Sequence, residues 1–166
     1  MLILKLLGMW RDYGEAWVLP HPRLVAEPST WSPERRASVC GYLTSGVEVI
    51  SELGFSHCRF DCGIADRAMG CREFSDGFWA WPEGLLHYVD VHGVVLPEPF
   101  ADDAVAARDF DRGFLDEPFN FHTSYWLNWI ELKRSAMSFR ERLARGGFRD
   151  VLASRQRRAR RFRDVT

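Results

Sequence analysis

Val39, Leu43, Val47 and Ile50 recur at steps of four, four and three, which is one face of a helix. Ser32-Pro33-Glu34 supplies a start: a serine N-cap, proline at the first helical position and an acid in the first turn. Gly54 offers a stop, so the pattern predicts a helix over 33–53 that buries those four side chains. Upstream, Leu2 to Leu7 is apolar apart from Lys5 and reads as a first strand or short helix. Pro20, Pro22 and Pro28 mark an irregular crossing after it.

Residues 55–71 read as loop. Asp76-Gly77 lies between aromatic-rich flanks, the signal of a β-hairpin over 72–81 or of a turn leading into a strand. Pro82-Glu83 opens a second helix through about His92, which Gly93 closes, and Val94-Val95-Leu96 reads as a short strand. Residues 101–117 are acidic and expected to be exposed. Trp129, Leu132, Ala136, Phe139 and Leu143 step by three and four and predict an amphipathic helix ending at Gly146-Gly147. Phe148, Leu152, Ala159 and Phe162 suggest a last one, with Arg155 on the same face. Together these elements predict an α+β fold: one globular domain over 1–150, with a small antiparallel sheet or hairpin packed on helices, and a basic helix or tail over 151–166.

Composition changes little in this picture. At 166 residues, 46% hydrophobic and 14% aromatic, the chain can build a core without disulfide staples. The apolar N-terminal run is short, interrupted by Lys5 and lacks a basic segment before it, unlike an export signal. The expected location is therefore cytoplasmic, with no membrane partner, and the four cysteines are expected to be thiols or metal ligands.

Charge adds an asymmetry. From Lys133 to Thr166 there are twelve basic residues against three acidic, +9, whereas the preceding 132 residues carry ten and twenty, −10. The run Arg-Gln-Arg-Arg-Ala-Arg-Arg-Phe-Arg over 155–163 either binds an anionic partner such as nucleic acid or folds back on the acidic body.

One constellation has metal-ligand spacing. Cys58 and Cys62 form a C-x3-C pair in the predicted loop, and His87 and His92 form an H-x4-H pair near the end of the predicted helix. The order (cysteine knuckle, hairpin, helix with two histidines) resembles a zinc finger in order and ligand type. The 24-residue interval is about twice the usual twelve. A closed site of these four would hold zinc in a structural role. The plainer reading is that buried thiols pack as small hydrophobes. Histidines five apart on a regular helix also stand about 140° apart, so both reach one metal only if the last turn is distorted. Cys71 and His57 are competing ligands.

The segment from Cys58 to Phe100 contains Cys-x3-Cys-Gly, Ser-Asp-Gly-Phe-Trp-Ala-Trp-Pro-Glu-Gly-Leu-Leu-His-Tyr-Val and Val-His-Gly-Val-Val-Leu-Pro. It resembles a group of uncharacterised bacterial proteins sharing an Asp-Gly turn, a Trp-Pro-Glu-Gly-Leu start, a His-Tyr pair, a second His and a Leu-Pro. The resemblance covers about a quarter of the chain and implies a shared structural unit, with no activity to transfer. In that group the first pair is closer to C-x2-C, which makes Asp61 an extra residue here.

Catalytic signatures are absent: there is no P-loop, GxGxxG, HExxH or GxSxG. His57 and Cys58 are adjacent and so poorly placed to pair. Asn120, His122, Asp76 and Glu83 have cheaper structural readings. The favoured function is a non-enzymatic protein-interaction module, of immunity or antitoxin type, whose acidic surface speeds encounter with a basic protein. The alternatives are an enzyme of unrecognised type with a pocket near Trp79, Trp81 and His87, and nucleic-acid binding through the arginine-rich tail.

Overall fold

The computed structural model describes residues 1–11, 19–106, 112–137 and 141. Its strands are β1 (Leu2–Leu6), β2 (Val47–Ser51), β3 (Arg72–Ser75), β4 (Trp79–Pro82) and β5 (Phe119–His122). Its helices are α1 (Pro33–Ser45), α2 (Asp66–Met69), α3 (Leu85–Asp90), α4 (Glu98–Val105) and α5 (Ser124–Ala136). Two 3-10 turns, Pro22–Val25 and Arg112–Asp116, also occur among the described residues.

The fold is α+β, but the sheet is larger than a hairpin and is mixed. Its order is β2-β3-β4-β1-β5. β2-β3 and β3-β4 are antiparallel, whereas β1 lies parallel to both β4 and β5. Local patterning finds hairpins; it does not find the long crossovers that parallel neighbours need.

The start of α1 follows its sequence signal, with Ser32 Oγ accepting a hydrogen bond from the Arg35 N–H at 3.2 Å. Its end does not. The helix stops at Ser45, and Val39, Tyr42 and Leu43 form its buried face. Val47 and Ile50 belong to β2 and are half-buried. The reason is local. A Cβ at Gly46 would sit 2.5 Å from Cζ2 of Trp81, so only glycine lets the backbone pass that ring. Beyond it, Val-Glu-Val-Ile is β-branched and pairs with β3.

The hairpin forms as predicted. Asp76 Oδ1 accepts hydrogen bonds from the N–H groups of Phe78 and Trp79 at 2.8 and 2.6 Å, while Oδ2 accepts from Tyr42 Oη at 2.7 Å. The second helix is shorter than predicted: Pro82 ends β4, and α3 covers only Leu85–Asp90. Val94 and Val95 are buried and join the segment Val25–Ala26 through one isolated bridge and a backbone bond.

The segment expected as exposed over 101–117, of which 107–111 lie outside the described residues, is not simply an exposed acidic loop. It begins inside α4, which buries Phe100, Ala101 and Ala104. α5 starts five residues before the predicted helix and buries Trp126 and Ile130; Leu132 is 71% exposed. The aromatic stretch before it had hidden the helix start at Ser124. Phe139, Leu143, the proposed last helix, the boundary at 150 and the basic segment 151–166 lie outside the described residues.

One face of the sheet carries the main core. Trp10, Trp79, Trp81, Trp126, Tyr88 and Phe100 are fully buried there. Trp10 meets Tyr88 and Trp126 edge-on, and Phe100 meets Trp79 and Trp81 edge-on, with centroids 5.1–5.8 Å apart. Such pairs contribute about 0.5–1.5 kcal/mol each beyond their area. Leu4, Leu6 and Ala80 form a smaller cluster on the other face. Among the described residues no helix is long and apolar enough to cross a membrane.

Candidate metal centre

Cys58 and Cys62 sit on a tight knuckle between β2 and α2. The N–H of Asp61 bonds back to the carbonyl of Cys58 at 3.3 Å, closing a turn. Asp61 has φ +53° and Gly63 φ +82°. Aspartate is among the few side chains that tolerate the left-handed region, so Asp61 fits this turn. The N–H of Phe60 also points at Cys58 Sγ, 3.4 Å away.

The histidines come from α3 and its exit. His87 is on the helix, but α3 ends at Asp90, so His92 lies beyond the last turn. Gly93 then reverses the chain with φ +63°; a Cβ there would sit 2.7 Å from Cα of Pro28. This early stop removes the angular conflict of two histidines five apart on one helix. The Nε2 atoms of His87 and His92 stand 3.0 Å apart.

All four side chains converge. Cys58 Sγ is 3.2 Å from Nε2 of His92, and Cys62 Sγ is 3.4 Å from Nε2 of His87. The four ligand atoms lie within 4.8 Å of one another. A zinc tetrahedron with bonds of about 2.3 Å to sulfur and about 2.0–2.1 Å to nitrogen has edges of roughly 3.3–3.8 Å. The separations of 3.0, 3.2 and 3.4 Å sit at or slightly below that range, and a cation at the centre would hold those atoms apart. Cys58, Cys62, His87 and His92 can therefore hold a metal ion such as zinc. The competing residues stay out: neither Cys71 nor His57 belongs to this group.

Electrostatics fit a cation. Burial lowers the pKa of both His87 and His92, and for His92 the neighbouring His87 adds to the effect. Neutral imidazole, the form that binds metal, is thus favoured. Burial pushes the Cys58 thiol up, partly offset by the Phe60 N–H. A thiolate there needs a positive charge beside it, which a divalent ion would supply.

Three supporting groups escape a search for ligand spacing. The Phe60 ring stacks on His92, with centroids 4.0 Å apart and planes 5° from parallel. Tyr88 Oη accepts the Arg59 N–H at 3.0 Å and donates to the His57 carbonyl at 3.2 Å, tying α3 to the knuckle. The buried Arg59 donates to the carbonyls of Arg11 and His57 and to Ser56 Oγ, and its own carbonyl receives Nε2 of His21 at 3.2 Å. The sequence signals for these were an aromatic inside the knuckle and a tyrosine beside His87.

The remaining candidate residues do not join the centre. Trp79 and Trp81 are buried in the core, their indole N–H groups bonded to Asp103 and to the Leu43 carbonyl. Asp76 shapes its turn. Glu83 bonds Arg72 and the Cys71 N–H, and Arg72 holds its carboxyl below the usual range. Asn120 and His122 are exposed on β5, with His122 Nδ1 3.0 Å from Ser124 Oγ. Comparison with protein-family models, with curated proteins and with solved structures found no match.

Proposed function

We propose that this chain binds one zinc ion through Cys58, Cys62, His87 and His92, that the ion is structural, and that the body it clamps is a non-enzymatic protein-interaction module. The observation that carries the metal reading is the convergence of four ligand atoms within 4.8 Å. Two sulfurs and two imidazoles are a borderline-soft set suited to zinc. Four protein ligands close the coordination sphere, which leaves no position at which to activate water. The role is then to join the knuckle to α3.

Metal analysis of protein purified without chelator tests this. About one equivalent of zinc is expected, and less than about a tenth would overturn the reading. Chelation and Cys62→Ser should each lower the melting temperature, while Cys40→Ser, on α1, should keep the metal.

The interaction reading is supported by the −10 charge of the first 132 residues. It is also supported by Leu53 and Phe55, 104% and 59% exposed on the loop that leads into the knuckle. A basic protein that contacts this loop would meet complementary charge and two apolar anchors. An immunity or antitoxin role predicts a salt-sensitive complex with the product of an adjoining gene, weakened by the double change Leu53→Ser and Phe55→Ser. A complex indifferent to both would count against it.

A further inference from the structure

The two sulfurs of the centre are unlike. Cys58 is buried, at 6% exposure, whereas Cys62 is exposed to solvent. They sit on one short turn, closed by the Asp61 N–H bond to the Cys58 carbonyl, and their sulfurs are within 4.8 Å of each other. A disulfide needs sulfurs about 2.05 Å apart and Cα atoms about 4.4–6.8 Å apart. A five-residue turn with a left-handed position at Asp61, followed directly by another at Gly63, can close that gap by rotating the exposed side chain. The other two cysteines lie elsewhere: Cys40 on α1, Cys71 just before β3.

We propose that Cys58 and Cys62 form an oxidation site for a hydroperoxide, at which a disulfide replaces the metal. This rests on the zinc reading above. Zinc keeps both sulfurs as thiolates, the nucleophilic form, and Cys62 is the one a peroxide can reach. Its sulfur attacks one peroxide oxygen: an S–O bond forms, the O–O bond breaks, and hydroxide leaves from hydrogen peroxide, or an alkoxide from an alkyl hydroperoxide. The Cys58 thiolate then attacks the Cys62 sulfur: the S–S bond forms, the S–O bond breaks, and a hydroxide leaves. The two thiolates lose two electrons and the peroxide gains them. The metal is left with two imidazoles and departs. Release removes the metal tie between the knuckle and α3 and leaves the Tyr88 and Phe60 contacts there, so the site couples oxidant exposure to the loop that carries Leu53 and Phe55.

The experiment uses the full zinc-loaded chain and hydrogen peroxide, with released zinc read by a chromogenic chelator, thiols by titration, and disulfides by peptide mapping. The expected result is release of about one equivalent of zinc with loss of two of the four thiols. The map should show a Cys58–Cys62 bridge, and a dithiol plus zinc should reverse the change. Cys62→His keeps four ligands but cannot form the bridge, so it should hold its zinc at the same dose; Cys71→Ser should respond like the parent. Zinc loss without a 58–62 bridge, or zinc-bound protein inert to peroxide, overturns the switch and leaves the zinc reading standing. Protein that neither contains nor takes up zinc overturns both. Should Cys62→His fail to load zinc, the map of the parent protein decides.

Discussion

Glu73 is the most costly acid among the described residues, and changing it gives a signed prediction. It lies in the middle of β3, opposite Pro82 of β4 and Ile50 of β2. Its Oε2 is buried without a hydrogen-bond partner. Burial, together with the nearby negative charge of Glu52, pushes its carboxyl from the ordinary 4.5 to about 7. The folded state therefore holds a proton that the unfolded state releases at lower pH. Stability from this group is fully present below about pH 4.5 and is lost as pH rises towards 7. At about 1.4 kcal/mol per pH unit the loss is at most about 3.5 kcal/mol. Solvent reaching this half-buried side chain reduces it to about 1–3 kcal/mol.

Glu73→Gln removes the ionisation but keeps the shape. Above pH 8 the variant should be the more stable by about 1–2 kcal/mol, with part of the gain spent on a buried amide N–H. Near pH 4.5, where most of that loss has not yet set in, the variant should be the less stable by up to about 1 kcal/mol, the cost of the buried amide N–H. Urea unfolding from pH 4.5 to 9, read as the difference between the two, is the assay; contributions from the metal centre cancel in that difference. A difference constant across pH, or a variant less stable at pH 8, would refute the argument that Glu73 is held in a desolvated position.

Leu43→Ala, at 4% exposure on the buried face of α1, should cost about 2–5 kcal/mol in thermal or denaturant unfolding. Val47→Ala, half-buried on β2, should cost clearly less; equal costs would contradict the break at Gly46. Asp61→Val should destabilise the protein by about 1–2 kcal/mol more than Asp61→Gly, because both remove the carboxylate and only valine opposes φ +53°. Chelator titration should show the valine variant losing metal first.

Capping and turn chemistry were legible from residues acting over three or four positions. Ser32 at the start of α1 and Asp76-Gly77 in the hairpin are fixed by side chains bonding to their own neighbourhood. The cluster that could hold a metal was legible for a related reason: Cys58, Cys62, His87 and His92 are chemically distinctive, and their order is compatible with a knuckle facing a helix. What failed was termination. The 4,4,3 spacing from Val39 to Ile50 satisfies a helix, but the close approach of Trp81 at Gly46 comes from a residue 35 positions away. No local pattern contains that contact. The parallel pairs β1-β4 and β1-β5 were hidden likewise, since pairing Lys5 with both Trp79 and His122 depends on crossovers that leave no periodic trace.

The metal centre depends on the same class of event, an element that stops earlier than its pattern suggests. Continued as a helix, residues 85–92 would send His87 and His92 in different directions. Ending at Asp90 lets the Val94 N–H bond to the Tyr88 carbonyl at 3.0 Å and turns His92 back beside His87. Tyr88 then does two things at once: its ring packs against Trp10 in the core, and its hydroxyl holds the knuckle at Arg59 and His57. Phe60 steadies His92 from the knuckle side. These contacts owe nothing to a metal. The site is therefore largely assembled by protein packing before an ion enters, unlike a small zinc finger, in which the ion must organise a chain with almost no core. Metal binding should accordingly add stability to a domain that already has its sheet and its tryptophan core. Chelation should lower the melting temperature and loosen the segment 52–65 while leaving the far-ultraviolet circular dichroism close to that of the zinc-bound protein. Collapse of that spectrum on chelation would show that the ion, and not the Tyr88 and Phe60 contacts, brings the four ligands together.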